Sequence, residues 1–363
     1  MLVTMRVDSS YLIGTGHVMR CLTLGEILRE RGVEVQFICR NLEGNMISVI
    51  ESQSYKVFVL SKPENAIKGR NLYDSWLEVS WMKDADETIQ TLQETPQVMV
   101  IDHYALDYRW HQAVRPYTHK IFVIDDLANR KHDCDYLLDQ NIHLNMHGRY
   151  NGLVPDHCKQ FIGPQFALLR SEFRKKHRAN RKITSELKRI FVFFGGTDPT
   201  NETLKVLRSL EQISLDDCGI EIDVVVGKVN SHIEHIRNYC LNRPNYHFHV
   251  QVNNISDLMM SADLAIGAGG TTVWERCYLG LPSILISVAE NQTQICKALE
   301  QAGVAIYLGE SQDVSEVAIA NEIIRIKNNP HLLKFMRDTS YRLMDGYEKQ
   351  FPSMINEVFF ERN

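Results

Sequence analysis

Strand-like and helix-like segments alternate along this chain, lapse, and then alternate again, and this double rhythm restricts the architecture more than any single motif does. In the first run, β-branched and apolar segments at 2–8, 33–40, 55–60, 97–102 and 120–126 are separated by amphipathic stretches. One of these is HVMRCLTLGEILRERG at 17–32, where Val18, Cys21, Leu22, Leu24, Ile27 and Leu28 form an apolar stripe and Gly32 stops the helix. The second run places strands at 189–196, 220–227, 246–250, 263–269, 282–288 and 304–309. Such alternation implies parallel sheets covered by helices on both faces. The stretch from about 140 to 187 lacks the rhythm. The chain therefore reads as two doubly wound α/β domains, 1–160 and 161–363, with a linker at the start of the second and a cleft between them as the expected ligand site. Its 363 residues suffice for two domains of ordinary size.

Composition narrows the partners. With 40 Lys and Arg against 45 Asp and Glu, the formal net charge of −5 argues against a large nucleic-acid footprint. The most basic stretch, RSEFRKKHRANRKITSELKR at 170–189, holds nine Lys or Arg and reads as a solvated helix plus linker. The eight cysteines include no CxxC pair and read as small buried apolar residues in a reducing compartment. No apolar run is long enough to span a bilayer, and Asp8 interrupts the N-terminal segment where a signal peptide would continue its apolar core. A cytoplasmic location is expected.

Parallel sheets carry their chemistry in the loops that follow strand C-terminal ends, and four such loops are rich in functional residue types. The first, DSSYLIGTGHVMRC at 8–21, offers Gly14 and Gly16 for close backbone approach, then His17 at a helix start, whose positive end favours the neutral ring and an anion nearby. The second, DHYALD at 102–107, sets Asp102, His103 and Tyr104 at a strand end, although Asp102 could equally cap the next helix. The third, FFGGTDPTNETLK at 193–205, combines Gly195, Gly196 and Thr197 and suits either a diphosphate or a plain capped turn. The fourth, AIGAGGTTVWERCYLGLPSILI at 265–286, runs from a buried strand through Gly269 and Gly270 into Thr271, Thr272 and Glu275. Small residues followed by hydroxyls suit phosphate oxygens, and a carboxylate one turn later could accept both ribose hydroxyls or close a capping box with Thr272. Beyond it, AENQTQ at 289–294 supplies the amides of Asn291 and Gln292 at another helix start.

GAGGTTVWE followed by GLPSILI and ENQ is similar to the nucleotide-binding half of GT-B glycosyltransferases, especially the N-acetylglucosaminyltransferase that makes lipid II. The set RVDSSYLIGTGHVMRCLTLGEIL, IDHYALD, VIDDLANRKHDCDYLLDQN, IGPQFALLRSEF and FFGGTDPTN resembles the UDP-2,4-diacetamido-2,4,6-trideoxy-β-L-altropyranose hydrolases of pseudaminic acid biosynthesis, in order from residue 5 to about 300. The resemblance implies a GT-B fold, two Rossmann-like domains facing across a cleft. It implies His17 as general base, Tyr104 facing the sugar, Asn291 binding it from the other domain, Gly269, Gly270 and Thr271 on the diphosphate, and Glu275 on the ribose. By analogy with the lipid II transferase, uracil would meet backbone near Val252. Asp8, Gly14, Gly16, Asp102, His103, Gly195, Gly196, Thr197, Thr272 and Gln292 complete the expected substrate-binding set.

The implied reaction is inverting hydrolysis at C1 of the UDP-sugar, with no metal and no cofactor. Two DxD strings, Asp84-Ala85-Asp86 in a helical stretch and Asp133-Cys134-Asp135 ahead of a strand, do not follow strand ends as a metal site would require. The alternatives are a GT-B transferase using a UDP-sugar donor, a hydrolysing UDP-sugar 2-epimerase, for which Asp8, Asp102 and Asp126 are the available carboxylates, and a non-catalytic UDP-sugar-binding protein.

Overall fold

A computed structural model describes residues 1–63, 73–143, 146, 148–176, 186–213, 219–241, 243–252 and 254–361. The chain divides into two compact units, the first built from Met1–Asn141, the segment ending at Leu168 and Gly346–Asn363, the second from Leu169–Asp345.

The first unit holds strands β1 (Leu2–Val7), β2 (Glu34–Arg40), β3 (Lys56–Leu60), β4 (Val98–Asp102), β5 (Lys120–Ile124), β6 (Tyr136–Asp139) and β7 (Lys159–Ile162), ordered β3-β2-β1-β4-β5-β6-β7. The second holds β8 (Arg189–Phe193), β9 (Glu221–Val226), β10 (Tyr246–Val250), β11 (Leu264–Ala268), β12 (Ser283–Ser287) and β13 (Ala305–Glu310), ordered β10-β9-β8-β11-β12-β13. Every pairing is parallel, from Val3 against Val35 and Val98 in the first sheet to Ile266 against Val192 and Ile284 in the second. Buried strands such as Val98–Asp102 and Ser283–Ser287 read as continuous apolar runs because helices cover both faces. Met99, Ile101, Trp110 and Ile121 anchor one core; Val192, Val224, Ile266 and Ile284 anchor the other. Among the described residues no helix is long and apolar enough to cross a membrane.

Both sheets form where the double rhythm puts them, with differences at the domain boundary. Strand β7 lies in the stretch that lacked rhythm; it is four residues long, with only Phe161 fully buried, so it leaves no periodic signature. The C-terminal helix Tyr347–Phe359 belongs to the first unit, whereas the sequence grouped it with the second. It is held there by the Phe359 ring against Phe122 at 5.8 Å, by Arg31 donating to Asn356 at 2.7 Å and by a Lys159–Glu357 ion pair. In the basic stretch, Arg170 pairs with Glu275, Lys176 with Asp257 and Arg189 with Asp223, while 177–185 lies outside the described residues. The seven described cysteines are free and buried.

Beneath the first sheet's central strands lies a buried charge network. Arg6 donates to Asp8 at 2.6 and 2.8 Å and to Asp84 at 2.6 Å, and Arg40 donates to Asp84 at 2.6 Å. Trp110 Nε1 donates to Asp84 at 2.9 Å, and the Arg40 backbone N–H donates to Asp8 at 2.7 Å. Arg40 also donates to Glu87 at 2.6 Å, so each buried guanidinium meets carboxylates, the condition under which buried charges persist. One Asp of the first DxD string is therefore consumed by this network. In the second string, Asp133 and Asp135 both pair with Arg115, at 2.9 and 2.8 Å.

Burial alone would raise the Asp84 carboxyl, but Arg6 and Arg40 outweigh it and hold it below the ordinary value; Asp8 is lowered in the same way by Arg6 and His103. A depressed folded-state pKa contributes stability that is present above the unfolded value and lost as pH falls through the folded one, so this contribution is expected intact at neutral pH and eroding below about pH 4. Asp84→Ala leaves Arg6 with Asp8 alone and Arg40 with only the partly exposed Glu87, and is expected to cost roughly 3–5 kcal/mol, read as a lower urea midpoint. A midpoint equal to wild type would show that the network carries no stability.

Candidate active site

In each sheet the strand order reverses beside the first strand, between β1 and β4 and between β8 and β11. Chains leaving two adjacent strand ends in opposite directions open a crevice there, the usual ligand position in open parallel sheets.

At the first crevice, the loop after β1 brings His17 to the second residue of the helix Gly16–Arg29, facing the end of β4. His17 Nδ1 lies 2.6 Å from Asp102 Oδ1. Arg20, one turn further along the same helix, donates to both oxygens of Asp102 at 2.7 Å and to Asp126 at 3.2 Å. Burial would raise the Asp102 carboxyl, yet Arg20 and His17 hold it well below the usual carboxylate range. An ionised Asp102 accepts the Nδ1 proton, which leaves the lone pair of the neutral ring on Nε2. Asp102 does not cap the next helix; Asp107 does, accepting from the Arg109 N–H at 2.9 Å.

Tyr104 sets its ring edge-on to His17 at 4.5 Å and donates its hydroxyl to Asp126. Burial and then Asp126 push its phenol well above the ordinary value, so it stays protonated. Trp76 stacks on Tyr104 at 5.3 Å and approaches His17 at 5.9 Å, and Tyr73 meets both Trp76 and Tyr104 edge-on. Ile13 and Leu42 complete this apolar wall. Arg20, Tyr73 and Trp76 were missed from sequence. Arg20 was legible as the residue three places after His17 on one helix face; the two aromatics, far from any strand end, left no signal.

Asp8 and His103 sit lower than expected. Asp8 is fully buried with both oxygens on Arg6, and His103 Nε2 faces it at 3.3 Å. His103 Nδ1 accepts from the Ala105 N–H at 3.1 Å, and burial keeps the ring's pKa below its ordinary value despite Asp8. This pair ties the floor of one loop to the other and leaves Asp8 no free oxygen for a sugar. Gly14 closes a tight turn, its N–H donating to Ser10 at 2.8 Å with φ at 79°. Gly16 has no positive φ, and a Cβ added to it would meet nothing within 4 Å, so the fold itself does not demand glycine there.

At the second crevice, Gly195, Gly196 and Thr197 follow β8, and Gly269, Gly270, Thr271 and Thr272 follow β11. Two glycines nearby exist for close approach: a Cβ on Gly227 would meet the Gly196 backbone at 2.2 Å, and one on Gly267 would meet the Phe193 carbonyl at 2.3 Å. Gly195, with φ of 95°, and Gly270 both open onto free space. Asp198 caps the helix Glu202–Glu211 through the N–H groups of Glu202 and Thr203, at 2.9 and 3.0 Å. Thr271 and Thr272 make no capping bond, and Glu275 does not close a box with Thr272. Glu275 instead takes a two-pronged contact from Arg170, at 2.7 and 2.8 Å. Arg170 stands 105 residues away in sequence, so only the fold reveals it.

The helix Glu290–Gln301 lays Gln292 and Cys296 against Gly269 and leaves Asn291 exposed at its first turn. The Gln292 side-chain oxygen accepts from the Val288 N–H at 3.1 Å, so its amide donor is what faces outward chemically. Val252 lies beyond the end of β10, two strands from β8 and three from β11, apart from the glycine turns.

Two parallel sheets of this order, each with its loops gathered at one strand-end crevice, define a GT-B protein. Residues 189–357 match the Glycosyltransferase family 28 C-terminal domain. The chain is 27% identical to the UDP-2,4-diacetamido-2,4,6-trideoxy-beta-L-altropyranose hydrolase of Campylobacter jejuni over 84% of this chain and 97% of that one. It is 26% identical to protein MJ1062 of Methanocaldococcus jannaschii over 81% of this chain but only 57% of that one, so it spans little more than half of that relative. Among solved structures, Acinetobacter baumannii MurG superposes with a TM-score of 0.62 at 12% identity, covering 96% of this chain and 99% of that one, a likeness of fold alone. The resemblance to the altropyranose hydrolase family carried by the ordered motifs is thereby shown.

The glycines separate into two kinds that stability measurements can tell apart. Gly16→Ala and Gly270→Ala are expected to leave the melting temperature unchanged or raise it slightly, by about 0.5–1 kcal/mol of stability. Gly227→Ala and Gly267→Ala force backbone apart and are expected to lose about 1–3 kcal/mol or more. Equal losses at all four positions would remove the distinction.

Proposed function

We propose that the chain is a UDP-sugar-processing enzyme, and specifically an inverting hydrolase acting on UDP-2,4-diacetamido-2,4,6-trideoxy-β-L-altropyranose, with the free sugar passing to pseudaminic acid biosynthesis. The observation that carries this reading is the 2.6 Å contact between His17 Nδ1 and Asp102, itself clamped by Arg20. It supports an imidazole of fixed orientation with Nε2 turned away from Asp102, the arrangement a general base requires.

In this mechanism His17 Nε2 takes a proton from water while the water oxygen bonds to C1 of the sugar. The C1–O bond to the diphosphate breaks, and its electron pair leaves with UDP. Asp102 stabilises the imidazolium as it forms, and Arg20 keeps that carboxylate from rotating away. Tyr104, Trp76 and Tyr73 supply an apolar wall that limits water beside the reacting carbon. In the second unit, the backbone amides around Gly195, Gly196, Gly269 and Gly270 would receive the diphosphate, with Thr197, Thr271 and Thr272 as hydroxyl donors. Glu275, oriented by Arg170, would accept the ribose hydroxyls, since a side-on guanidinium still leaves each carboxylate oxygen a further lone pair. Asn291 would meet the sugar and backbone near Val252 the uracil.

A 2-epimerase needs free carboxylates beside the sugar. Asp8, Asp102 and Asp126 are each held by arginine, which weighs against that alternative. A transferase remains the alternative within the same fold, and isotopically labelled water separates the two.

Turnover in ¹⁸O-water is expected to place the label on C1 of the released sugar, with the rate unaffected by chelator. Label in the phosphate alone, or no UDP release from any diacetamido UDP-sugar without an added acceptor, overturns hydrolysis at C1. His17→Gln and Asp102→Asn should each lower kcat by about 10²–10⁴-fold while UDP still binds. An unaltered rate in His17→Gln would dismiss it as the base.

A further inference from the structure

The helix Thr272–Tyr278 that follows the second glycine turn is only seven residues long, so its dipole adds little to anion binding. A stronger positive charge lies directly behind that turn. The Arg276 side chain is 2% exposed, and no carboxylate among the described residues lies within ion-pair distance of its guanidinium. Its Nη2 donates to the Ala268 carbonyl at 2.6 Å, and its Nε has no partner. Its Nη1 occupies the space a side chain on Gly267 would fill, 2.9 Å from where that Cβ would stand. Other buried arginines beside the strand ends are neutralised: Arg6 and Arg40 share Asp8 and Asp84, and Arg20 holds Asp102. An unpaired buried guanidinium is costly to keep.

We propose that Arg276 is a positioning residue for the anion received by the turn at Ala268–Gly270: its charge sits behind the turn, and its hydrogen bond fixes the Ala268–Gly269 peptide. In a trans peptide the C=O and N–H point in opposite directions, so a carbonyl drawn to Arg276 turns the Gly269 N–H away from it, toward the open side of the turn. Gly270, with free space around it, lets an oxygen approach there. Burial pushes the Arg276 pKa down, but only to about 10, so the group stays cationic at neutral pH. The charge lacks a protein partner because its partner is the ligand's phosphate, felt through a medium of low dielectric. This inference rests on the reading of that turn as the diphosphate site.

The test is calorimetric titration of UDP, uridine and inorganic pyrophosphate into the full chain, for wild type, Arg276→Gln and Arg276→Lys. Gln keeps a donor for Ala268 and removes the charge; Lys keeps the charge. UDP and pyrophosphate are expected to bind Arg276→Gln on the order of 10- to 100-fold more weakly, with uridine unchanged and Arg276→Lys within a few-fold of wild type. Because an unpaired buried charge has been removed, Arg276→Gln should melt no lower than wild type, a result that a merely structural role would not give. Unchanged UDP affinity in Arg276→Gln overturns the inference while leaving nucleotide binding intact. Parallel losses of uridine affinity and melting temperature in Arg276→Gln, with no recovery in Arg276→Lys, overturn it as well. Wild type binding pyrophosphate in an Arg276-dependent way but not UDP supports the inference and removes the nucleotide reading. Wild type binding neither removes both.

Discussion

Pairing the first strand of each sheet between its own successor and a strand from later in the chain is the constraint on which the rest depends. Because β1 lies between β2 and β4, and β8 between β9 and β11, the chain must leave adjacent strand ends toward opposite faces. The loops diverge there, and backbone groups that would otherwise cover the sheet edge are drawn apart. In the first sheet the gap admits a histidine from one loop and an aspartate from the other. In the second it admits two glycine turns. Neither arrangement requires proximity in sequence: His17 and Asp102 are 85 residues apart, and the register of β1 against β4, with Val7 opposite Asp102, brings them together.

That register places polar groups at the end of a fully buried strand, and the protein must neutralise them. Arg6 and Asp8 lie on β1 and just past it, where an apolar side chain would be the ordinary choice. They are retained in a network with Arg40, Asp84 and Trp110 in which both carboxylates meet guanidinium donors. The network also fixes the height of the first loop, because Asp8 accepts from the Arg40 backbone and faces His103. The orientation of His17 is therefore set twice: directly by Asp102, and indirectly by the charges that anchor the chain below it. Such a support makes the geometry around His17 rigid, at a cost in acid stability.

Much of this was legible in the sequence, and what was not has identifiable causes. Buried parallel strands leave strong apolar runs, so of the thirteen strands among the described residues all but β6 and β7 could be placed from composition and period alone. Loops after those strands follow from the topology, which is why His17, Asp102, Tyr104 and the glycine turns could be named. The alternatives open at single residues are settled only by the fold: Asp107 rather than Asp102 caps the following helix, and Glu275 meets Arg170 rather than Thr272. Long-range partners such as Arg170 and Trp76 leave no periodic trace. The placement of the C-terminal helix was misread because its apolar stripe specifies burial, not the surface it is buried against.

Charge shows the difference between composition and position most plainly. A net charge of −5 argues against a polyanion spread over a surface, because that interaction is a sum over many exposed cations. A diphosphate is different: it is compact, and its binding is decided by a few donors and charges within the distance over which water does not screen them. Glycine turns provide donors without adding formal charge, and Arg276 adds one cation that is almost wholly shielded from solvent. Exposed on the surface, that same arginine would be hydrated and shared with ions; behind the turn its field is directed at one place. A mildly acidic chain can hold a phosphate group as firmly as a basic one, provided its positive groups are buried where the ligand sits.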